Sequence, residues 1–109
     1  MPSVVLELGQ KTAREGERRT FDAEVVLFGR SSACDLRFRV SAVSRMHARI
    51  SLIRANRWSI EDLNSKNGTF LNGEQVKRAY VRVGDRLQIG ADGPELRILR
   101  LDPDPAMPM

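Results

Sequence analysis

The chain has 109 residues, of which 41% are hydrophobic and 29% charged, a size and balance that fit one globular domain. No apolar run approaches the roughly 20 residues that cross a bilayer, and the start, MPSVVLELGQ, lacks the basic segment and long apolar core of a secretory signal. One cysteine, Cys34, excludes an internal disulfide, and with one histidine it is too little for a typical zinc site. We therefore expect a cytoplasmic protein without a metal or other cofactor.

Most of the basic residues are arginines, with fifteen Arg and three Lys. The net charge is +4 and the pI is near 10.0. Arginine presents a planar fork of donors that suits phosphate or carboxylate, which favours an anionic partner. An arginine-rich surface also arises simply because charged residues are mostly exposed. Composition leaves both interpretations open.

Apolar residues alternate with polar ones along the chain, and this period of two predicts half-buried strands. Leu36, Phe38 and Val40 alternate with arginines in DLRFRV, and Trp58 and Ile60 repeat the pattern in RWSIED. No segment has sustained helical spacing. The expected strands are 3–9, 17–22, 24–28, 35–40, 47–53, 57–63, 69–71, 75–78, 86–89 and 95–101.

Turn sequences separate these strands at short intervals, at 14–17, 64–68, 72–73, 83–85 and 90–94. Many short strands with frequent turns predict an all-β antiparallel sandwich or barrel. The last segment, DPDPAMPM at 102–109, alternates Pro with polar or flexible residues, so we expect a disordered tail or the start of a linker there.

Four polar clusters fall in gaps between predicted strands, which is the usual layout of a binding site on a rigid sheet. They are Gly29-Arg30, Ser44-Arg45-Met46-His47, Asn67-Gly68-Thr69 and Asn72-Gly73. Their order, together with the phrase WSIEDLNSKNGTFLNG, resembles the forkhead-associated (FHA) domain, a phosphothreonine-binding β-sandwich. The resemblance runs from about residue 4 to residue 101.

The resemblance implies two antiparallel sheets, about ten to eleven short strands and a binding site in the loops at one end. It gives an FHA-like domain at 1–101, followed by the tail at 102–109. It also implies a binding module rather than an enzyme. The expected partner is a phosphothreonine-containing protein, a Ser/Thr kinase or its substrate, and no membrane partner is expected.

The resemblance assigns phosphopeptide binding to Arg30, Ser44, Arg45, Lys66 and Asn67. A phosphothreonine carries roughly 1.5 to 2 negative charges and three acceptor oxygens, so a guanidinium and a hydroxyl donor suit its edges. Arg45 and Lys66 are expected near the phosphate, although a loop lysine is also often just solvated. Asn67 is expected to hold the backbone of the bound peptide, and its Asn-Gly pair also suits a tight turn.

Six other positions are expected to support the site without contacting the peptide: Gly29, His47, Gly68, Thr69, Asn72 and Gly73. Ser44 and His47 could alternatively form an esterase pair. That chemistry needs a third group to orient the imidazole and an oxyanion site, and no G-x-S-x-G elbow surrounds Ser44. In the family the matching histidine braces the serine loop, so we expect no catalysis.

The alternative function, motivated by the high pI, is that of a nucleic-acid-binding basic β domain. Six aromatic residues occur, and four of them fall in apolar strand patterns: Phe21, Phe28, Phe38 and Trp58. Few aromatic rings would then remain for stacking on bases. Binding of nucleic acid is therefore the less favoured hypothesis.

Overall fold

The computed structural model describes residues 1–107, which form eleven strands and no helix. The strands are β1 (Ser3–Leu8), β2 (Arg18–Phe21), β3 (Val25–Gly29), β4 (Leu36–Arg37), β5 (Ala48–Arg54), β6 (Arg57–Asp62), β7 (Thr69–Leu71), β8 (Glu74–Gln75), β9 (Arg78–Val81), β10 (Arg86–Ile89) and β11 (Glu95–Asp102). Within this described part of the chain, no helix is available to span a membrane.

The strands make two sheets that pack face to face. One has the order β2-β1-β11-β10-β7-β8, and the other has the order β4-β3-β5-β6-β9. Neighbouring strands are antiparallel except β3 and β4, which pair in parallel over two residues of each strand. The predicted all-β sandwich is confirmed, with this one parallel pair added.

The core lies between the two sheets and follows the alternation in the sequence. In β1, every second residue is buried. The second sheet contributes Phe28, Ile50 and Trp58, each at most 1% exposed, and these pack against apolar residues of the first sheet such as Leu6 and Ile98. At about 25 cal/mol per Å² of apolar surface, this burial is the main force holding the sheets together.

One predicted strand, 75–78, is wrong. The structure divides this region between β8, which ends at Gln75 in one sheet, and β9, which begins at Arg78 in the other. Val76 and Lys77 make the crossing: the Val76 N–H donates to the Thr69 carbonyl, and the Lys77 carbonyl accepts from Asp62. Local alternation cannot reveal a crossing, because the strand partner changes while the polarity pattern continues.

Residues 103–107 contact the sandwich, although a disordered tail or the start of a linker was expected at 102–109. The Trp58 indole N–H donates to the Pro103 carbonyl at 2.8 Å, and the Asn56 amide donates to Asp104 and Met107 carbonyls at 3.2 and 2.8 Å. Both donors are largely buried and therefore need partners. Residues 108 and 109 of the predicted tail lie outside the described residues, and the domain boundary at residue 101 stays a prediction.

Several loops meet at one end of the sandwich. The loop at 30–35 is joined to the loop at 38–47 by the Arg30 N–H, which donates to the Ser44 carbonyl at 3.0 Å. The loop at 63–68 is joined to the turn at 90–94 by the Ala91 N–H, which donates to the Asn67 carbonyl at 3.0 Å. The clusters singled out in the sequence lie mostly at this end.

Candidate functional site

His47 lies at the centre of the loop end, with its side chain fully buried. Its Nδ1 accepts the Ser44 N–H at 3.0 Å, and its Nε2 donates to the Gly68 carbonyl at 2.7 Å. Because Nδ1 is an acceptor, the ring is neutral and carries its proton on Nε2. Burial lowers the pKa of His47, although the Gly68 carbonyl and the Asp62 charge favour the protonated ring. The imidazole thus joins two loops.

This arrangement is unsuited to a Ser-His nucleophile. Both ring nitrogens of His47 are bonded to backbone groups, so neither is free to accept a proton from the Ser44 hydroxyl. Ser44 Oγ instead accepts the Lys66 N–H at 3.0 Å. The short S-x-x-H spacing therefore builds a loop brace in which the serine hydroxyl is held by the neighbouring loop.

Arg30 follows the last residue of β3 and is held close to the 38–47 loop. Its Nε donates to the Val43 carbonyl at 3.0 Å, which fixes the side chain and leaves the two terminal nitrogens for other partners. The preceding Gly29 allows this approach, since a Cβ there would collide with the Arg45 carbonyl and lie 2.7 Å from Cys34 Sγ. Glycine at this position is a packing requirement.

Arg30 and Arg45 share a shallow depression of about 220 Å³ with Ser31, Ser32 and Arg37. Arg37 Nε donates to the Arg30 carbonyl at 2.8 Å, which holds the two arginines together. Across residues 1–107, none of the three arginines forms an ion pair with a carboxylate. Three such guanidinium groups beside serine hydroxyls make a site for an anion.

Sequence reasoning missed three residues of this depression: Ser31, Ser32 and Arg37. Arg37 occupies the polar position of the alternation after Leu36, and this pattern indicated only that its side chain points away from the core. Its place beside Arg30 follows from the parallel pairing of β3 with β4, which aligns Gly29 with Arg37. A short parallel pair has no signal in the local sequence.

Lys66 and Asn67 lie in the neighbouring loop at the same end of the sandwich, outside the lining of the depression. The Lys66 side chain is exposed, while its backbone N–H is the donor to Ser44 Oγ. Asn67 is half-buried, and its Nδ2 donates to the Ala42 carbonyl at 3.0 Å. Asn67 therefore connects its own loop with the 38–47 loop, and through its carbonyl with the 90–94 turn.

A carboxylate beneath the loop at 63–68 fixes the shape of that loop. Asp62 accepts the Ser65 N–H at 3.0 Å, the Ser65 hydroxyl, and the buried Thr69 hydroxyl at 2.7 Å. Burial alone would raise the pKa of Asp62, but the hydrogen bonds from Ser65 and Thr69 outweigh it and lower the pKa. The Gly68 N–H donates to Ser65 Oγ, and Gly68 has φ +83°. Asp62 and Ser65 were missed, although Asp and Ser side chains often bond to backbone groups a few residues away in a turn.

Asn72 and Gly73 are not brought to the depression. They form the positive-φ turn between β7 and β8, at the opposite end of β7 from Gly68. Asn72 Nδ2 donates to Asp85 Oδ1 at 3.1 Å, and Asn72 Oδ1 accepts the Arg86 N–H at 2.9 Å. The contacts of Asn72 therefore stabilise the turn before β10 and not the loops around Arg30.

Comparison with known proteins identifies the family to which this fold belongs. The family model described as FHA domain matches residues 26–90, more than half of the chain. The chain belongs to the FHA domain family. The FHA domain-containing protein FhaB of Mycobacterium tuberculosis is 38% identical over 86 residues, which cover 78% of this chain and 55% of that protein. This FHA domain thus spans about half the length of that curated relative.

Solved FHA domains have the same architecture. One, from a structural and functional analysis of phosphothreonine-dependent FHA domain interactions, has a TM-score of 0.76 and 25% identity, covering 98% of this chain and 99% of that one. The FhaA FHA domain, solved in complex with the intracellular domain of Rv3910, has a TM-score of 0.73 and 26% identity, covering 87% and 98%. The family match at residues 26–90 includes the loops that carry the site.

Proposed function

We propose that this FHA domain is a non-enzymatic cytoplasmic module that binds phosphothreonine on a Ser/Thr kinase or on a substrate of one. The depression beside Arg30 is the observation that carries this proposal, because it joins three guanidinium groups without carboxylate partners among the described residues. A phosphothreonine supplies the matching charge and three acceptor oxygens. The two solved relatives support it, one named for phosphothreonine-dependent interactions and one bound to an intracellular domain.

Each proposed contact uses a group that the protein leaves free. The terminal nitrogens of Arg30 remain available because only its Nε bonds to Val43. The Ser44 oxygen accepts the Lys66 N–H, so the hydroxyl proton can be donated to a phosphate oxygen. The exposed side chains of Arg45 and Lys66 supply further positive charge. Such charge-assisted bonds are about twice as strong as neutral ones.

Asn67 is proposed to hold the backbone of the peptide beside the phosphothreonine. Its side-chain amide has two N–H donors and one oxygen, and only one N–H is used by the Ala42 carbonyl. The remaining donor and acceptor match the C=O and N–H of a peptide unit. Because the bond to Ala42 fixes the amide plane, this contact would be formed with little loss of side-chain freedom.

Burial of the aromatic residues argues against nucleic acid as the main partner. Phe28, Phe38 and Trp58 are buried in the core, and Phe21 is partly buried against it. Tyr80 is 51% exposed, but the Arg57 guanidinium lies over its ring, 5.3 Å from the centroid. Rings for stacking on successive bases are therefore scarce, whereas single-strand binding relies on such stacking.

Isothermal titration calorimetry with a phosphothreonine peptide, selected from a degenerate library, tests the proposal. The same peptide with unmodified threonine should show no measurable heat. Arg30→Ala should weaken binding by about 2–3 kcal/mol, which is roughly 30- to 150-fold, because a charge-assisted contact is lost.

The matched control is Arg100→Ala. Arg100 is an exposed arginine that pairs with Val5 on β1, far along the strand from the loop end. Its removal changes the net charge equally and should leave the affinity within about twofold of wild type. Equal binding of the phosphorylated and unmodified peptides, or wild-type affinity in a folded Arg30→Ala variant, would contradict the proposal.

A further inference from the structure

A second concave surface lies beside the phosphate depression, between the β1–β2 loop and β4. We name it the flank groove; it has a volume of about 400 Å³, and its lining includes Arg14, Arg19, Arg37, Phe38, Arg39 and Val40. It occupies the side of the sandwich where the edge strands β2 and β4 of the two sheets approach each other. The proposed phosphate contacts do not involve it, apart from Arg37.

The flank groove is continuous with the phosphate depression. Arg37 lines both surfaces, and its Nε donates to the Arg30 carbonyl. A peptide with its phosphate beside Arg30 can therefore pass Arg37 to reach the groove, since this side chain borders both surfaces. A segment of the same peptide can therefore fill the groove in such a complex.

The rim of the groove is basic, and none of its lining residues is acidic. Three of the basic side chains already face a carboxylate: Lys11 with Asp92, and Arg14 and Arg19 with Glu17. The remaining two, Arg37 and Arg39, are exposed and form no ion pair within residues 1–107. Charge complementarity thus favours carboxylates in the occupant.

The floor of the groove is apolar. Leu36 and Phe38 are buried there, and Val40 beside them is 41% exposed. An exposed valine next to buried apolar groups can gain from covering by an apolar side chain, at about 25 cal/mol per Å². The fitting occupant therefore has one apolar residue among acidic ones.

We propose that the flank groove binds an acidic segment with one apolar residue that directly flanks the phosphothreonine in the partner protein. This inference rests on the proposed function, because the phosphate brings the segment to the groove. The side chains that recognise the segment are Arg39 on the rim and Val40 on the floor. The groove would then distinguish between partners that share only a phosphothreonine.

Fluorescence anisotropy with labelled peptides tests the inference. Each peptide carries one phosphothreonine in an alanine background, and Glu-Leu-Glu is placed either before or after it. One of the two placements should bind about five- to tenfold more tightly than the all-alanine phosphopeptide, from two exposed ion pairs and one apolar contact. The gain should shrink as salt is raised from about 0.05 to 0.5 M, since exposed charges are screened.

Three variants locate the gain. Arg39→Glu and Val40→Asp should abolish it while leaving the affinity for the all-alanine phosphopeptide nearly unchanged. Arg100→Glu, which reverses an exposed charge on β11 away from the groove, should keep the gain. Thermal unfolding of each variant confirms that it is folded.

The outcomes separate this inference from the proposed function. Phosphothreonine binding without a gain from either placement would overturn the groove and leave the phosphate site standing. A gain that persists in both Arg39→Glu and Val40→Asp would also overturn it. A random single-stranded oligonucleotide that displaces the acidic phosphopeptide as effectively as the unlabelled peptide would overturn the inference, because the groove would then select negative charge alone. No binding of any phosphopeptide would refute the proposed function itself.

Discussion

Replacing His47 with alanine should destabilise the whole domain, although we expect no contact between His47 and the peptide. The change removes a fully buried ring and both of its hydrogen bonds. The Gly68 carbonyl keeps a second partner, the Gly90 N–H at 2.9 Å. The Ser44 N–H has no other partner in the described part of the chain, so it must find water or remain unsatisfied.

The expected cost follows from these two losses. Truncating a buried side chain of this size costs about 2–5 kcal/mol, and an unsatisfied buried donor costs about 1–3 kcal/mol where water cannot reach it. Ser44 is only half-buried, so we expect a total of about 3–5 kcal/mol. Unfolding entropy is about 2.1 cal/mol/K per residue, so for 109 residues the Tm should fall by roughly 13–22 °C.

Trp58 makes the measurement direct, because it is the single tryptophan and is 1% exposed in the core. Its fluorescence should report thermal and urea unfolding of both proteins, and calorimetry below the lowered Tm should show weakened phosphopeptide binding. His47→Gln, which can restore one hydrogen bond, should lie between alanine and wild type in Tm. A His47→Ala variant with unchanged Tm but no binding would place the imidazole in the peptide contact and refute the bracing role.

Three further predictions concern the pKa of His47, the close approach at Gly29 and the charge of the bound phosphate. The pKa of His47 is lowered from 6.5 in the folded state. The contribution of His47 to the unfolding free energy should therefore be complete above pH 6.5 and decline as the pH falls toward the folded-state pKa. Urea unfolding at several pH values should show this slope in wild type and not in His47→Gln. Gly29→Ala should lower the unfolding free energy by about 2–4 kcal/mol and weaken binding, because its Cβ collides with the Arg45 carbonyl. Gly73→Ala has open space around the new Cβ and should lower the unfolding free energy by only about 1 kcal/mol, because of its positive φ. Urea unfolding measures both losses. Peptides with Asp or Glu in place of phosphothreonine should lose about two to four orders of magnitude in affinity by calorimetry, since two charge-assisted contacts of about 1.5–3 kcal/mol each are lost.

Each of these expectations has a clear contrary result. Equal pH slopes in wild type and His47→Gln would assign the acid sensitivity to other groups. Equal losses for Gly29→Ala and Gly73→Ala would mean that the close approach of the Arg45 carbonyl adds no extra cost at position 29. An Asp or Glu peptide that binds within about tenfold of the phosphopeptide would contradict the phosphate depression, since tenfold is only about 1.4 kcal/mol.

The sandwich could be predicted because its strands bury one face, and a period of two follows directly from that. The pattern located β1, β5, β6 and β11 to within a residue or two. It failed at 75–78, where the chain changes sheets, and it gave no sign that residues 103–107 contact Trp58 and Asn56. Those hydrogen bonds join residues 45 to 51 positions apart, so no local window contains both partners.

The site was predicted only in part, because contacts between residues distant in sequence place some of its side chains. Motif order, aided by the family resemblance, pointed to Ser44 and His47, and the structure places them in one loop with the hydrogen bonds described above. Arg37 was missed because strand pairing, not sequence proximity, brings it beside Arg30. Asn72 was expected to support the site because of the family resemblance, but the three residues of β7 carry it to the opposite end.

Three of the groups expected near the phosphate are fixed through an atom that the phosphate does not need. Arg30 and Arg37 are held through Nε, and Ser44 through a lone pair that accepts the Lys66 N–H. Immobilising a free side chain on binding costs about 0.5–1.5 kcal/mol, so groups already ordered by folding lose less on binding. The ordering of these side chains depends on the loop brace formed by His47, whose neutral ring contributes hydrogen bonds but no charge. The arginines thus attract the anion. The His47 ring, which we expect not to contact the anion, holds the loops that align the arginines.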